Sequence, residues 1–330
     1  MTPIETPLTQ LLKIDVPILG GAMFPCSNAE LVAAVSDAGG MGILQPISLV
    51  YVYGEDFRFA LKKIRGITSK PVGMNVIVEK SSKLYEKRMR NWVDIALEEG
   101  VRFFVTALGN PRWVVDRVGE CGGIVFHNVT ELKWAQRALD AGVHGLNCVN
   151  NRAGGHAGTL SPEELLTTLK QTCPKVPLVC AGGIGDAAAF VHALKLGYDG
   201  VQMGTRFIAT TECGAHNSYK EAIVRAKEAD IVLTDRVTGI PLSVIRTPHL
   251  EAIGTHAGPV ARILLGNART KHLVRLFYTL QSAWKLKRAS LRGLSSKDYW
   301  QAGKSVAGVN QIESARAIIS RFAEAAARGI

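Results

Sequence analysis

The 330-residue sequence contains no run of about 18 apolar residues that would span a bilayer. Its opening, MTPIETPLTQLLKID, has neither the basic start nor the continuous apolar stretch of a secretory signal, so a cytoplasmic location and no membrane partner are expected. Cysteine is sparse: Cys26, Cys121, Cys148, Cys173, Cys180 and Cys213 show no CxxC and no pairing with histidine at zinc spacing. A disulfide framework and a metal site are therefore not expected, and the thiols read as reduced and mostly buried. HExxH and GxSxG are also absent, which argues against a zinc protease and a serine hydrolase. Acidic residues are outnumbered, 28 against 39 Lys and Arg, leaving a net charge of +11. The excess concentrates between Arg262 and Lys304, where only Asp298 opposes a series of Arg and Lys. No zinc finger, RRM signature or aromatic-spaced basic loop accompanies it, so it reads as a solvated helical face and no nucleic acid is expected.

What the chain does have is a hydrophobic fraction of 47%, enough for a large core, arranged in a recurring unit. Eight short segments rich in Val, Ile and small residues each precede a helix-period pattern, as in a parallel sheet. They are Pro17 to Gly20, Gly42 to Gln45, Pro71 to Val76, Arg102 to Ala107, Gly123 to His127, Gly145 to Val149, Val176 to Ala181 and Gly200 to Met203. Helices between them carry apolar stripes such as Leu31, Ala34, Val35 and Ala38, and several end on glycine: Gly39, Gly100, Gly142 and Gly197. Eight such units predict an α/β fold closed as a (β/α)8 TIM barrel. Past the eighth strand the alternation stops, and Thr210 to about Gly303 reads mainly as helices and loops. A helix over His272 to Arg288 would set Leu273, Leu276, Phe277, Leu280 and Trp284 on one face. A final helix, Gln311 to Ala326, would close the barrel. The expected division is a barrel over 1–210 and 304–330, with 211–303 a helical insertion capping its mouth.

In a barrel the loops after the strands' C-terminal ends build the site. Here strand one runs into Gly21-Ala22-Met23, strand three into Asn75, and strand five into His127-Asn128. Strand six runs into Asn150 to Gly158, strand seven into Gly182-Gly183-Ile184-Gly185-Asp186, and strand eight into Gln202-Met203-Gly204-Thr205-Arg206-Phe207. Glycine turns opening helices expose N–H groups that can hold a phosphate, and barrels often place that site after strands seven and eight. AGGIGD alone could be a tight turn; with MGTRF following, phosphate binding is the better reading. No GxGxxG with a later acidic residue follows strand one, so a mononucleotide such as FMN fits better than a dinucleotide. Gly21, Ala22 and Met23 would let a flat ring lie against backbone and thioether, although Met23 could equally be core packing. Asn75 could meet a heterocycle edge or cap a loop. His156, among Gly154, Gly155 and Gly158, can point into an open mouth, which raises a catalytic role above that of a structural histidine. Strand ends carry no paired carboxylates for glycoside chemistry.

The run AGGHAG (153–158), AGGIGD (181–186) and QMGTRF (202–207), in that order, resembles the nitronate monooxygenase family, formerly called 2-nitropropane dioxygenases. PILGGAM at the start, GMN at 73–75 and AGKSVAG at 302–308 extend the resemblance over nearly the whole chain. Type II enoyl-ACP reductases and NADH:quinone reductases of similar fold share these motifs. The resemblance implies FMN contacts from Met23, Asn75, Gly154, Gly183 and the stretch Gln202 to Thr205, and His156 as the catalytic histidine. It implies oxidation of alkyl nitronates with O2 to carbonyl compounds and nitrite. NAD(P)H-dependent reduction of an enoyl thioester or quinone, or a flavin scaffold without turnover, are the rival readings. Three positions depart from the pattern: Val149 where relatives usually carry Gln, Asp or Glu, Arg152 for a frequent Glu, and Lys304 for a frequent Gln. Partners are accordingly a small substrate and O2, with NAD(P)H and a homodimer left open.

Overall fold

In the computed structural model, whose described residues are 3–79, 83–173, 175–236, 241–256, 284–293 and 299–329, eight parallel strands close into a barrel. They are β1 (Ile18–Gly20), β2 (Met41–Leu44), β3 (Gly73–Ile77), β4 (Phe103–Ala107), β5 (Ile124–Val129), β6 (Gly145–Val149), β7 (Leu178–Ala181) and β8 (Gly200–Met203). All eight fall on the segments expected from sequence. Closure is made where Leu19 pairs with Gln202 across β1 and β8.

Alternation along each strand sorts side chains into two layers. Leu19, Met41, Ile43, Phe103, Val105, Phe126 and Val179 point inward and fill the barrel. Phe103 and Phe126 meet there edge to face, ring centroids 5.2 Å apart. Gly145 is required by that packing: a Cβ on it would sit 2.2 Å from Phe126 Cζ. The outward residues, among them Met74, Phe104, Leu146, Cys148, Val201 and Met203, pack against the helices in a larger cluster. Gly39, Gly100, Gly142 and Gly197 have φ of +99°, +82°, +87° and +104°, the left-handed conformation that the helix ends were expected to need.

The last helix, Ala315–Gly329, packs on the helix Ala187–Leu196 with Phe322 stacked on Phe190 at 5.7 Å. It begins four residues later than the apolar series suggests because Ser314 Oγ accepts from Ala317 N–H and Glu212 accepts from Ala315 N–H, capping the first turn. Ile312, counted into the apolar series, is left exposed.

Between β8 and that helix the chain makes an excursion that is not only helical. Alongside the helices Asn217–Arg225 and Pro248–Ile253 it holds an antiparallel pair, β9 (Ile231–Thr234) and β10 (Leu242–Ile245), where helices and loops were expected. Of the helix expected over His272 to Arg288, residues 272–283 lie outside the described residues; 284–292 are helical. Trp284 is exposed beneath the Arg288 guanidinium rather than on a buried stripe. No helix among the described residues is long and apolar enough to cross a membrane.

Candidate active site

The inward face of the barrel changes character toward its C-terminal mouth. Above the apolar layer, Asn75, Asn128, Asn147 and Gln202 take the inward positions of β3, β5, β6 and β8. Asn75 is buried and donates to Val105 O at 3.2 Å. Asn147 Nδ2 donates both hydrogens, to Asn128 Oδ1 at 3.0 Å and to Gln202 Oε1 at 2.8 Å. Gly21 lies close against this layer; a Cβ there would meet Gln202 Cγ at 3.2 Å. Ala22 packs on the inner apolar cluster, and Met23 is half-buried with its sulfur facing Gly204, a prospective Cβ of which would lie 3.5 Å away. Met203 is different: its side chain points outward into the helix layer, so only its backbone, which accepts from Gly21 N–H at 2.9 Å, borders the mouth.

The turns after β7 and β8 converge on a third loop. Gly182 and Gly183 have φ of +125° and +87°, so side chains are disfavoured at both. Asn150, fully buried, fixes this turn by donating to Gly182 O at 3.1 Å while its Oδ1 accepts from Arg152 N–H at 2.8 Å. In the sequence Asn150 stands out only as part of a loop; the signal for its role is an asparagine directly after a strand, the type that bonds to backbone. Thr205 Oγ1 accepts from Gly303 N–H at 3.0 Å, and a Cβ on Gly154 would lie 2.8 Å from Gly303 N. Gly154, Thr205 and Gly303 thus meet in one small polar corner, with Gly204 next to Thr205 in the chain and Gly183 beneath the side chain of Arg152. The N–H groups of Gly183, Gly204 and Thr205 donate to no acceptor among the described residues.

His156 stands at the open end of the β6 loop. No hydrogen bond to its ring is found among the described residues; the imidazole is solvent-accessible, yet surrounding protein desolvates it enough to lower its pKa. Desolvation thus favours its neutral form. The loop is held by the excursion: Gly155 O accepts from Ser243 N–H of β10 at 2.8 Å, and Val244 bridges to Gln301. His127, the other histidine near a strand end, points outward, sits 2.7 Å from Thr106 Oγ1, and is pushed down to about 4 by burial. It is a structural residue.

Two of the departures from the family pattern form one unit. Arg152 binds Glu228 through both nitrogens at 3.0 and 2.7 Å, and Lys304 Nζ lies 3.6 Å from the same carboxylate. Arg152, and next to it Lys304, hold Glu228 below its ordinary pKa. The guanidinium lies over Gly183, a Cβ of which would meet Nε at 2.8 Å. Neither cation is thus a free charge waiting for an anionic substrate. Val149, the third departure, ends β6 as an inward apolar residue. No group of three or more His, Cys, Asp or Glu that could hold a metal is found among the described residues.

Polar groups and glycine turns gathered at the C-terminal ends of eight parallel strands define a (β/α)8-barrel enzyme. Comparison with known proteins narrows the class. A model of the nitronate monooxygenase family matches residues 5–324, and the chain belongs to that family of oxidoreductases. It is 30% identical over 272 residues to the nitronate monooxygenase of Pseudomonas aeruginosa, covering 70% of this chain and 77% of that one. It is 29% identical over 252 residues to a Mycobacterium tuberculosis protein, (3aS,4S,5R,7aS)-5-hydroxy-7a-methyl-1-oxo-octahydro-1H-indene-4-carboxyl-CoA dehydrogenase, covering 76% and 68% of the two. FabK from Thermotoga maritima has a similar structure, with a TM-score of 0.81, 28% identity and 98% and 97% coverage.

Proposed function

We propose that this protein holds FMN across the barrel mouth and uses it, with O2, to oxidise alkyl nitronates or their parent nitroalkanes to carbonyl compounds and nitrite. The observation that carries this reading is an unpartnered, neutral His156 beside a corner of glycines and free backbone N–H groups. Such a corner fits one phosphoryl group: Gly182, Gly183, Gly204 and Thr205 would hold it through N–H groups, with the Thr205 hydroxyl hydrogen still available. Gly154 lets the Gly303 backbone pass close beside this corner. Gly21, Ala22, Met23, Asn75 and Gln202, with the backbone of Met203, would border the ring. FMN, when bound, supplies the electron acceptor.

The chain's own residues then do two things. The Arg152–Glu228–Lys304 cluster fastens the loop carrying His156 to the excursion over 211–303, which we take to cap the mouth and limit water. His156, neutral, accepts a proton from the substrate carbon at whichever ring nitrogen faces it. A neutral nitroalkane suits this base better than a nitronate anion does, because the nearby cations are already paired with Glu228.

A second reading, NAD(P)H-dependent reduction of an enoyl thioester or a quinone, draws on the likeness to FabK and to a CoA dehydrogenase. It asks His156 to donate a proton, and a lowered pKa makes it a poorer reservoir of one at neutral pH. Anaerobic mixing of the flavin-loaded protein with 2-nitropropane, with its nitronate and, separately, with NADH or NADPH tests the two. Bleaching by the nitro compounds, with nitrite released once O2 is admitted, is the expected result. Bleaching by a nicotinamide alone would overturn it.

A further inference from the structure

Asn147 carries an anomaly that the site so far does not use. It is fully buried, at 0% exposure, and both Nδ2 hydrogens are spent on Asn128 and Gln202. Its Oδ1 is buried as well and has no hydrogen-bond partner. A buried carboxamide oxygen without a donor is destabilising, so such an atom marks either a defect or a missing ligand.

The neighbours argue for a ligand. Asn128 and Gln202, each using its oxygen on Asn147, are half-buried, and neither Nδ2 of Asn128 nor Nε2 of Gln202 donates to any described residue. Three linked carboxamides on β5, β6 and β8 therefore offer a free donor, a free acceptor and a free donor, on the inward face of the barrel. Turning Asn147 over by itself would face its oxygen against those of Asn128 and Gln202. A heterocycle carrying an N–H flanked by two carbonyls is the complement of this pattern, and the pyrimidine end of a flavin has that order at C2=O, N3–H and C4=O. Water can satisfy one such group but does not require the alternation.

We infer that the Asn128–Asn147–Gln202 carboxamide chain is a recognition site for the imide edge of a flavin, with Asn147 Oδ1 accepting its N–H. The inference rests on the flavin reading above. It assigns two residues, Asn128 and Asn147, to cofactor recognition, and leaves the phosphate corner and His156 unchanged.

The test is binding, independent of turnover. FMN and 3-methyl-FMN, in which a methyl replaces the N3 hydrogen, are titrated into flavin-free wild-type protein and into Asn147→Ala, which removes the acceptor and leaves room for the methyl. The expected result is that wild type prefers FMN by about tenfold or more, the scale of one buried hydrogen bond. Asn147→Ala loses that preference and binds FMN more weakly. If Asn147→Ala does not fold, Asn128→Ala, at the half-exposed end, is expected to narrow the preference. Wild type without a preference, or a folded variant that keeps it, overturns the inference while the flavin reading stands. Wild type that takes up neither flavin removes that reading, and this inference with it.

Discussion

His156 is defined by what it lacks. Other site residues are tied to neighbours, yet no described residue bonds its ring, and desolvation disfavours its charged form. A base of lowered pKa stays unprotonated as the solution is acidified past its ordinary value of 6.5. With a neutral nitroalkane, kcat/KM is therefore expected to hold to lower pH than an ordinary imidazole would allow and to fall where the imidazole finally protonates. A profile that declines from pH 8 would contradict the assignment. His156→Ala should keep its flavin, read as visible absorbance per protein, while kcat falls by about 10²- to 10⁴-fold, the usual worth of a positioned base. The place of His156 in an open loop was legible in the sequence because three glycines surround it. Asn147 was not: a lone asparagine in a strand says nothing until period-two alternation and a closed barrel turn it inward toward Asn128 and Gln202.

At the scale of the element, the turn after β7 shows why glycine spacing could be read and the ion cluster could not. Gly183 needs its positive φ of +87° and also leaves no room, since Arg152 lies directly above. Gly183→Ala combines a left-handed cost of about 1–2 kcal/mol with that contact. It is expected to lower Tm modestly and to abolish tight FMN retention through gel filtration. Arg152 and Glu228 are 76 residues apart, and no local pattern announces such a pair. The β9–β10 pair escaped for a related reason: each strand is four residues long, too short for alternation to stand out from loop. Glu228 is 40% exposed, so its ion pairs contribute little to stability, on the order of 1 kcal/mol or less. Removing its charge has a clearer consequence for binding. Glu228→Gln leaves Arg152 uncompensated above the phosphate corner, and FMN is expected to bind up to about tenfold tighter at low salt. The gain should vanish near 0.5 M salt, roughly, as screening shortens the reach of charge. An unchanged Kd at low salt would place the phosphate elsewhere.

The last helix packs on the molecule through buried residues such as Ile318, Ile319 and Phe322, and an ion cluster ties its start to the chain just after β8. Arg206, at 1% exposure, pairs with Glu313 and donates to Ala209 O at 3.2 Å, while Arg321 of the last helix binds the same carboxylate. Arg206 stands in a motif that was expected to turn around a cofactor phosphate; its side chain anchors the helix that covers the β1–β8 seam. Arg321, with Arg206, holds Glu313 below its ordinary value of 4.5. A carboxyl with a depressed folded-state pKa adds stability that is fully present above the unfolded value and is lost as pH falls through the folded one. Glu313→Gln strands a buried guanidinium, a loss of about 3–5 kcal/mol, so its Tm should lie well below that of wild type at pH 7. The sign of the linkage then fixes the rest of the experiment. The Tm gap between the two proteins should hold steady above the ordinary carboxyl value of 4.5 and narrow as pH falls below it, as protonation gives wild type the same uncharged partner. A gap that persists in acid would mean that the helix is held by its Phe322–Phe190 packing and not by this carboxylate.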